Sequence, residues 1–300
     1  MQENISKLKK YEYVIMDSGI GELACKTSGK GRLPEIPAIM EEIEILLAEQ
    51  NLAGEKILIT AGPTEEPLDP VRFITNLSSG KMGYALAKVA RRHGAQVTLI
   101  TGPTNLPLPS VENVIKVRTA QEMYKAVMDN YKKATVVIKA AAVADYRPKV
   151  IARDKIKKDD KARSIELVRN PDIVGEIGRN KKNIIIVGFA METKDLLANA
   201  REKLKKKNMD LIVANSIREE GAGFQADTNK ITILDMQGNT QSLPIMTKIE
   251  AAEKILERVV VLLKKKGSTK SNGRNFLSIN TGTITERLVV CCSGDKRASA

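Results

Sequence analysis

Two lysines of one predicted helix have the spacing expected of residues that bind a phosphate chain. Lys203 and Lys207 are four residues apart in the segment NAREKLKKKN, so a helix places them on the same face. Their mutual repulsion is unfavourable by roughly a few tenths of a kcal/mol, and a bound polyphosphate would relieve it. A basic helix that simply faces solvent has the same pattern. The two lysines alone therefore leave both interpretations open.

A second candidate anion site lies in TAGPTEEPLDPVRFITNLSSGKMG, residues 60–83, which joins a predicted strand to a predicted helix. Free amides at a helix start, together with the helix dipole, favour an anion, although an ordinary serine N-cap would explain the same residues. The glycine spacing is not G-x-G-x-x-G, and Lys81 precedes Met82, so neither a dinucleotide fingerprint nor a P-loop is present. A junction loop of this length is usually functional, and Arg72 and Asn76 can both point from it into a crevice. The residues at the predicted helix start are Ser78, Ser79, Gly80 and Lys81.

Three further segments carry polar groups where predicted strands or helices meet loops. KAAAVADYRP, residues 139–148, ends a strand with three alanines, which indicates that the backbone lies close to something flat or crowded, and Asp145 follows. DKIKKDD, residues 154–160, alternates lysines with acids on a loop, and such a run is usually a solvated face. Asn170-Pro171-Asp172 predicts a helix start, with the proline where a helix tolerates it.

Alternating strands and helices must position these segments. Apolar runs such as KILITAG and NIIIVGFAME are typical of buried parallel strands, and helical patterns separate them. We therefore predict an α/β fold, a doubly wound, mostly parallel Rossmann-like sheet with helices on both faces, and a hairpin around Gln237-Gly238. Ligands of such sheets bind beyond the carboxyl ends of the strands, which here selects the segments after Ile59, Val143 and Val187.

The composition limits the class of protein. The 300 residues carry a net charge of +13, which fits a solvated basic surface, nucleic acid or a small anionic substrate. Aromatic residues make up only 3%, which argues against stacking platforms for single-stranded nucleic acid. No apolar run approaches the ~20 residues of a membrane span, and the N-terminus lacks a signal-peptide core, so we expect a cytoplasmic protein. His93, the only histidine, falls at a predicted helix end, and the odd cysteine count does not describe a disulfide scaffold.

Together the segments resemble the ligase half of the bifunctional phosphopantothenoylcysteine decarboxylase / phosphopantothenate–cysteine ligase family of coenzyme A biosynthesis. The resemblance runs from about residue 54 to residue 266, and the matching motifs appear in the family's order. They are ITAGPTEEPLDPVRFITNLSSGKMG, AAAVADYRP, KIKK, NPDIV, VGFAMET and the lysine helix.

The resemblance implies CTP-dependent ligation of 4′-phosphopantothenate to cysteine through an acyl-cytidylate, with Mg²⁺ bridging the phosphates. Lys155 would assist formation of the acyl-cytidylate, and Arg72 and Asn76 would lie beside it, with Asn76 helping its conversion to product. Lys203 and Lys207 would hold the triphosphate. The remaining CTP-site residues implied by the resemblance are Lys139, Ala140, Ala141, Asp145, Pro171, Asp172, Ile173, Val174 and Phe189.

The N-terminal zone, residues 1–53, resembles the flexible flap of the family's flavin-dependent decarboxylase half, followed by a linker helix. In SGIGELACKTSGKGRLPE, Cys25 falls on the family's proton-donor cysteine, whereas Lys26 replaces the usual glycine. The family's flavin-binding body and catalytic histidine should precede this segment. We therefore expect a truncated decarboxylase half that binds FMN only if another chain supplies that body. Residues 267–300 do not resemble the family and form a tail of unknown structure.

Three other functions compete with a ligase. A nicotinamide dehydrogenase predicts a glycine fingerprint after the first strand and an acid ending the second, but the second strand ends ITGP. A nucleic-acid-binding protein predicts a contiguous basic face, whereas the basic residues here lie in separate motifs. An inactive fragment, or a structural partner of a split enzyme, stays open. We expect small-molecule substrates, no nucleic acid, no membrane and, by the resemblance, a homodimer.

Overall fold

A computed structural model describes residues 2–11, 13–22, 27–158, 164–192, 196–216, 226–268 and 288–290. The chain divides into two compact units, one of residues 1–50 with 272–300 and one of residues 51–271. Within the described ranges, no helix combines the length and the apolar character needed to cross a membrane.

The described part of the smaller unit contains short strands and two helices. Strand β1 pairs in parallel with the last described strand, and β2 pairs antiparallel with β3. The linker helix predicted from PAIMEEIEILLAEQ is present as α2. The elements are α1 (Gln2–Lys10), β1 (Val14–Met16), β2 (Gly19–Glu22), β3 (Ser28–Arg32), α2 (Ile36–Leu47) and, near the C-terminus, β18 (Leu288–Val290).

The larger unit alternates strands and helices as the sequence predicted. Its first half contains β4 (Lys56–Ala61), β5 (Glu65–Pro67), β6 (Phe73–Thr75), α3 (Lys81–Arg92), β7 (Gln96–Thr101), β8 (Asn113–Lys116), α4 (Ala120–Asn130), a 3₁₀ turn (Tyr131–Lys133), β9 (Val136–Lys139), β10 (Tyr146–Pro148) and β11 (Leu167–Arg169). Its second half contains α5 (Ile173–Arg179), β12 (Ile185–Glu192), α6 (Leu196–Lys206), β13 (Leu211–Ser216), β14 (Thr228–Asn229), β15 (Ile231–Asp235), β16 (Thr240–Ser242), β17 (Met246–Thr247) and α7 (Lys248–Ser268).

Eight strands form one sheet in the order β16-β15-β13-β12-β9-β4-β7-β8. The six strands from β13 to β8 are parallel, and β15 and β16 add an antiparallel edge. This arrangement confirms the doubly wound, mostly parallel Rossmann-like sheet, and β15 and β16 form the predicted hairpin. The chain leaves β4 towards β7 and β8 and then returns to the other side of β4 as β9. The carboxyl ends of β4 and β9 therefore flank the point where the strand order reverses, which is where such sheets bind ligands.

Alternate residues of each central strand face different helices, as the period of two requires. Ile57 and Ile59 of β4 pack in a cluster with α3 and α7, whereas Leu58 packs in a second cluster with α4, α5 and α6. Strand β12 shows the same division, because Ile186 packs in the second cluster whereas Ile185 and Val187 pack in the first. Helices therefore cover both faces, and the strands are apolar throughout because neither face meets water.

Two helix starts differ from the sequence predictions. The N-cap of α3 is Gly80, with φ +80 and no side-chain cap, so a serine N-cap is wrong there. Glycine fits because this left-handed backbone conformation penalises a side chain. The helix after Asn170 begins at Ile173 with Asp172 as its N-cap, so Pro171 precedes the cap and does not occupy the first turn. The Asp172 side chain accepts a hydrogen bond from the Gly175 amide at 3.1 Å, and this bond fixes the start of α5.

Candidate functional site

Hydrogen bonds join the loops that follow β4 and β9. The Thr64 amide donates to the Ala142 carbonyl at 3.3 Å, and the Ala142 amide donates to the Gly62 carbonyl at 3.0 Å. Asn76 Nδ2 donates to the same Ala142 carbonyl at 2.9 Å. The three alanines thus lie beside the loop that follows β4, and their small side chains allow the two backbone segments to approach closely. The Asn76 side chain is consequently fixed where the sheet's strand order reverses.

Two adjoining cavities open at the carboxyl ends of the strands. The first, which we call the α5–α6 cavity, has a volume of about 340 Å³. The second, the α3 cavity, has about 320 Å³ and includes the start of α3. Five residues line both, so the two cavities form one continuous crevice. The shared residues are Lys139, Val143, Asp145, Phe189 and Lys203.

Nearly all the predicted site residues line this crevice. Those in the α5–α6 cavity are Lys139, Asp145, Pro171, Asp172, Ile173, Val174, Phe189, Lys203 and Lys207. Those in the α3 cavity are Asn76, Ser78, Ser79, Gly80, Lys81, Lys139, Ala140, Ala141, Asp145, Phe189 and Lys203. A larger hollow of about 730 Å³ lies at the opposite ends of the strands, near Thr135 and Ile184, and none of the predicted residues lines it.

Arg72 and Lys155 lie outside the lining of both cavities, as far as the described residues show. Arg72 Nη1 pairs with the buried Asp69 carboxylate at 3.0 Å and donates to the Ile156 carbonyl at 2.9 Å. Asp69 also accepts from the Ile156 amide at 3.1 Å. The Asp69–Arg72 pair therefore anchors the backbone next to the exposed Lys155. Cys25 and residues 159–163 lie outside the described residues. The predicted roles of Cys25, Arg72 and Lys155 stay predictions.

Positive charge concentrates in the α5–α6 cavity. Lys207 Nζ lies 2.9 Å from Asp172 Oδ1, and the Lys207 amide still bonds to the Lys203 carbonyl at 3.1 Å, so both lysines share one face. Burial, followed by the charges of Lys203 and Lys207, lowers the pKa of Lys139 to about 8. Burial alone would raise the pKa of Asp172, but Lys207 and the Gly175 amide hold it below its usual value. Three lysines that repel one another in a concave site are an arrangement that a polyphosphate would stabilise.

The lowered pKa of Lys139 predicts proton uptake on ligand binding. Near pH 8 the side chain is about half protonated, and a bound triphosphate raises its pKa, so about half a proton should be taken up. Because the folded pKa lies below the ordinary 10.5, the free protein should also gain stability as pH rises from about 8 to 10.5. Titration calorimetry in two buffers of different ionisation enthalpy measures the uptake. Lys139→Met should abolish it, and equal uptake by both proteins would contradict the assignment.

Three polar residues of the α3 cavity were missed by sequence reasoning. Asn215 in β13, Asn229 in β14 and Lys248 at the start of α7 all line it. Asn215 comes near the end of the apolar run DLIVAN, and the rule about carboxyl ends of strands would have selected it. Asn229 and Lys248 belong to no recognisable motif, and the pairing of β14 with β17 helps to bring their elements together.

Comparisons with known proteins identify the family of the larger unit. Residues 52–262 match the family described as the DNA/pantothenate metabolism flavoprotein C-terminal domain. The chain is 46% identical over 271 residues to the coenzyme A biosynthesis bifunctional protein CoaBC of Bacillus subtilis, covering 89% of this chain and 67% of that protein. It is 47% identical over 264 residues to CoaBC of Borreliella burgdorferi, covering 86% of this chain and 66% of that protein. The chain thus spans about two thirds of the length of these relatives.

A solved structure shows the same fold. The crystal structure of the C-terminal domain of CoaBC is matched with a TM-score of 0.63 and 42% identity, over 72% of this chain and 100% of that chain. The profile match covers well over half of the sequence, and its bounds nearly coincide with the larger compact unit. The chain is thus similar in sequence and structure to the C-terminal domain of CoaBC. It belongs to the family of DNA/pantothenate metabolism flavoprotein C-terminal domains.

Proposed function

We propose that residues 54–266 form a phosphopantothenate–cysteine ligase that uses CTP. The observation that carries this proposal is the continuity of the crevice, in which a lysine cluster adjoins a helix start through Lys139 and Lys203. Such a site can hold a nucleoside triphosphate at one end and an acid at the other. Activation of an acid by a nucleotide depends mainly on positioning and charge neutralisation, which lysines provide.

The proposed reaction has two steps. The carboxylate of 4′-phosphopantothenate attacks the α-phosphorus of CTP, and pyrophosphate leaves. The amine of cysteine then attacks the acyl carbon, and CMP leaves. Lys203 and Lys207 would neutralise the phosphates, Lys155 would assist the first step, and Asn76 would orient the acyl-cytidylate for the second. A histidine base is not needed for either step.

Mg²⁺ fits this crevice as a companion of the triphosphate. Among the described residues, no group of three acidic, histidine or cysteine side chains is placed to hold a metal alone. Mg²⁺ commonly uses one or two carboxylates and completes its shell with phosphates and water. Asp145, which lines both cavities, and Asp172 in the α5–α6 cavity would supply the carboxylates. The ion would neutralise phosphate charge.

The homodimer is a further part of the proposal. Exposed apolar side chains gather on β5–β6 and β10–β11, including Phe73 at 41% and Tyr146 at 45% exposure, and β5 lies beside β10. An apolar surface of this kind is typical of an interface. Analytical ultracentrifugation should show twice the chain mass, and a monomer at micromolar concentration would reject the dimer.

The decisive assay for the nucleotide measures pyrophosphate. The protein is incubated with 4′-phosphopantothenate, cysteine, Mg²⁺ and one of CTP, ATP, GTP or UTP, with omission of phosphopantothenate as the control. CTP should support far faster release than the others. Equal rates with ATP would contradict the CTP assignment, and no release with any nucleotide would favour the inactive structural partner.

A further inference from the structure

A buried aspartate in the turn between β5 and β6, residues 68–72, joins two distant segments of the chain. Asp69 is 3% exposed, and its Oδ1 atom accepts hydrogen bonds from the Val71 and Arg72 amides, each at 2.8 Å. These two bonds are local and close the turn, as an aspartate side chain commonly does. The Oδ2 atom accepts from Arg72 Nη1 at 3.0 Å and from the Ile156 amide at 3.1 Å. One oxygen therefore shapes the turn, and the other reaches a second loop.

Both backbone groups of Ile156 are held by the Asp69–Arg72 ion pair. The Ile156 amide donates to Asp69, and the Ile156 carbonyl accepts from Arg72 Nη1 at 2.9 Å. A third bond, from the Ala152 amide to the Leu68 carbonyl at 2.9 Å, ties the same loop to the same turn. This part of the chain forms neither a helix nor a strand. Because no regular structure supports the loop, the three bonds to the turn hold its backbone in place.

The Asp69 carboxylate is ionised at neutral pH. Burial alone would raise the pKa of Asp69, but the amides of Val71, Ile156 and Arg72, together with the Arg72 charge, hold it below its usual value. The four N–H groups that surround the two oxygens compensate a charge that would be costly to bury alone. All four contacts require acceptors, so neither a protonated acid nor an amide can replace the carboxylate fully.

We propose that Asp69 is a positioning residue for the first step of the ligase reaction and acts through the backbone of Ile156 on Lys155. This inference rests on the proposed function, in which Lys155 assists the attack of the substrate carboxylate on the α-phosphorus of CTP. Lys155 directly precedes Ile156, so a fixed Ile156 restricts the point from which the Lys155 side chain extends. Asp69 touches no substrate and transfers no proton. The new oxygen–phosphorus bond forms, and pyrophosphate leaves with its electron pair, without Asp69 taking part.

The exposure of Lys155 makes this backbone support important. Its side chain is exposed, so packing does not hold it, and a lysine loses much rotamer freedom when it is held in one place. Anchoring the adjacent backbone lowers that cost before the substrates arrive. A displacement of about 1 Å at a reacting group can slow a reaction about 100-fold. Loss of the Asp69 contacts should therefore affect the rate of the first step more than the binding of CTP.

Asp69→Asn should separate the loops while the turn is kept. The amide oxygen can replace Oδ1, but the amide nitrogen cannot accept from Ile156 or Arg72. The rate constant of the pyrophosphate burst without cysteine should fall about 100-fold, whereas the burst amplitude and the dissociation constant of CTP should not change. Asp69→Ser, whose hydroxyl can also close the turn, should behave in the same way. Asp154→Asn, an exposed change in the same loop, is the matched control.

Two further measurements separate positioning from a general loss of structure. When the acyl-cytidylate is supplied ready-made with cysteine, Asp69→Asn should form product at the wild-type rate, because Lys155 acts before that point. Hydrogen exchange should show a protected Ile156 amide in the wild type. In Asp69→Asn the protection should be lost in residues 149–158 and kept in the central strands.

Any of four results would overturn the positioning role and leave the ligase standing. They are a wild-type burst rate in Asp69→Asn, an equal slowing of both steps, a lower burst amplitude with an unchanged rate constant, and an unprotected Ile156 amide in the wild type. The wild-type exchange decides the question even if neither Asp69 variant folds. If the wild type gives no burst with any nucleotide, the proposed function fails and this inference fails with it.

Discussion

Asn76→Asp is expected to release pyrophosphate from CTP and then to accumulate the acyl-cytidylate. Asn76 Nδ2 donates to the Ala142 carbonyl at 2.9 Å, so the amide is held at the edge of the α3 cavity. A carboxylate there loses the donor and places negative charge beside an anionic intermediate. Loss of one donor in such a site costs about 10²–10³ in rate, so the second step should slow by that factor. Mass spectrometry of quenched reactions, with and without cysteine, detects the trapped species.

Lys155→Gln should show the opposite behaviour. Lys155 is exposed beside Ile156, whose backbone is tied to Asp69 and Arg72, and a lysine there can neutralise charge as the carboxylate attacks. Its removal should block the first step, so that no acyl-cytidylate forms. Lys157→Gln, an exposed change in the same loop, is the control. Accumulation in Lys155→Gln, or none in Asn76→Asp, would show that the two roles are wrongly assigned.

The double change of Lys203 and Lys207 to alanine should weaken CTP binding by about 100-fold, since two charged hydrogen bonds are lost. Lys207 is 25% exposed and its partner Asp172 is 49% exposed, so the ion pair contributes at most about 1 kcal/mol to stability. The charges that depress the pKa of Lys139 also disappear, so proton uptake near pH 8 should shrink. Calorimetry measures both quantities in one experiment.

Lys205 and Lys206 supply the matched control for that experiment. They lie in the same lysine run and are exposed outside the cavity lining, so their double change to alanine removes equal charge from α6. Equal weakening by the two double variants would mean that general electrostatic attraction, and not a specific clamp, holds the nucleotide.

Much of the larger unit could be predicted because its parallel strands are buried on both faces. Continuous apolar runs such as those of β4 and β12 distinguish them clearly from the amphipathic helices. The ribbon β5–β6 could not be predicted, because each strand has three residues and the segment reads as a loop rich in proline, asparagine and serine. Strands β10 and β11 pair over only three residues each, so their antiparallel pairing could not be predicted either.

Some residues of the candidate site could be predicted from the sequence, and others could not. Lys203 and Lys207, the alanines after β9 and the start of α3 form local motifs, and the structure brings all of them to one crevice. Asn215, Asn229 and Lys248 are single residues on three elements, and their proximity depends on long-range pairing that no local pattern reveals. The interpretation of Pro171 as a first-turn residue was wrong because Asp172 bonds the Gly175 amide and thereby sets the helix start.

Transfer of labelled oxygen tests the central claim most directly. Phosphopantothenate carrying oxygen-18 in its carboxylate is incubated with CTP, Mg²⁺, cysteine and the protein. The masses of the products are then measured by mass spectrometry. Because the carboxylate attacks the α-phosphorus and the C–O bond later breaks, one labelled oxygen should appear in CMP, together with phosphopantothenoylcysteine. CMP without the label, or product with the label in pyrophosphate or inorganic phosphate, would contradict the acyl-cytidylate route.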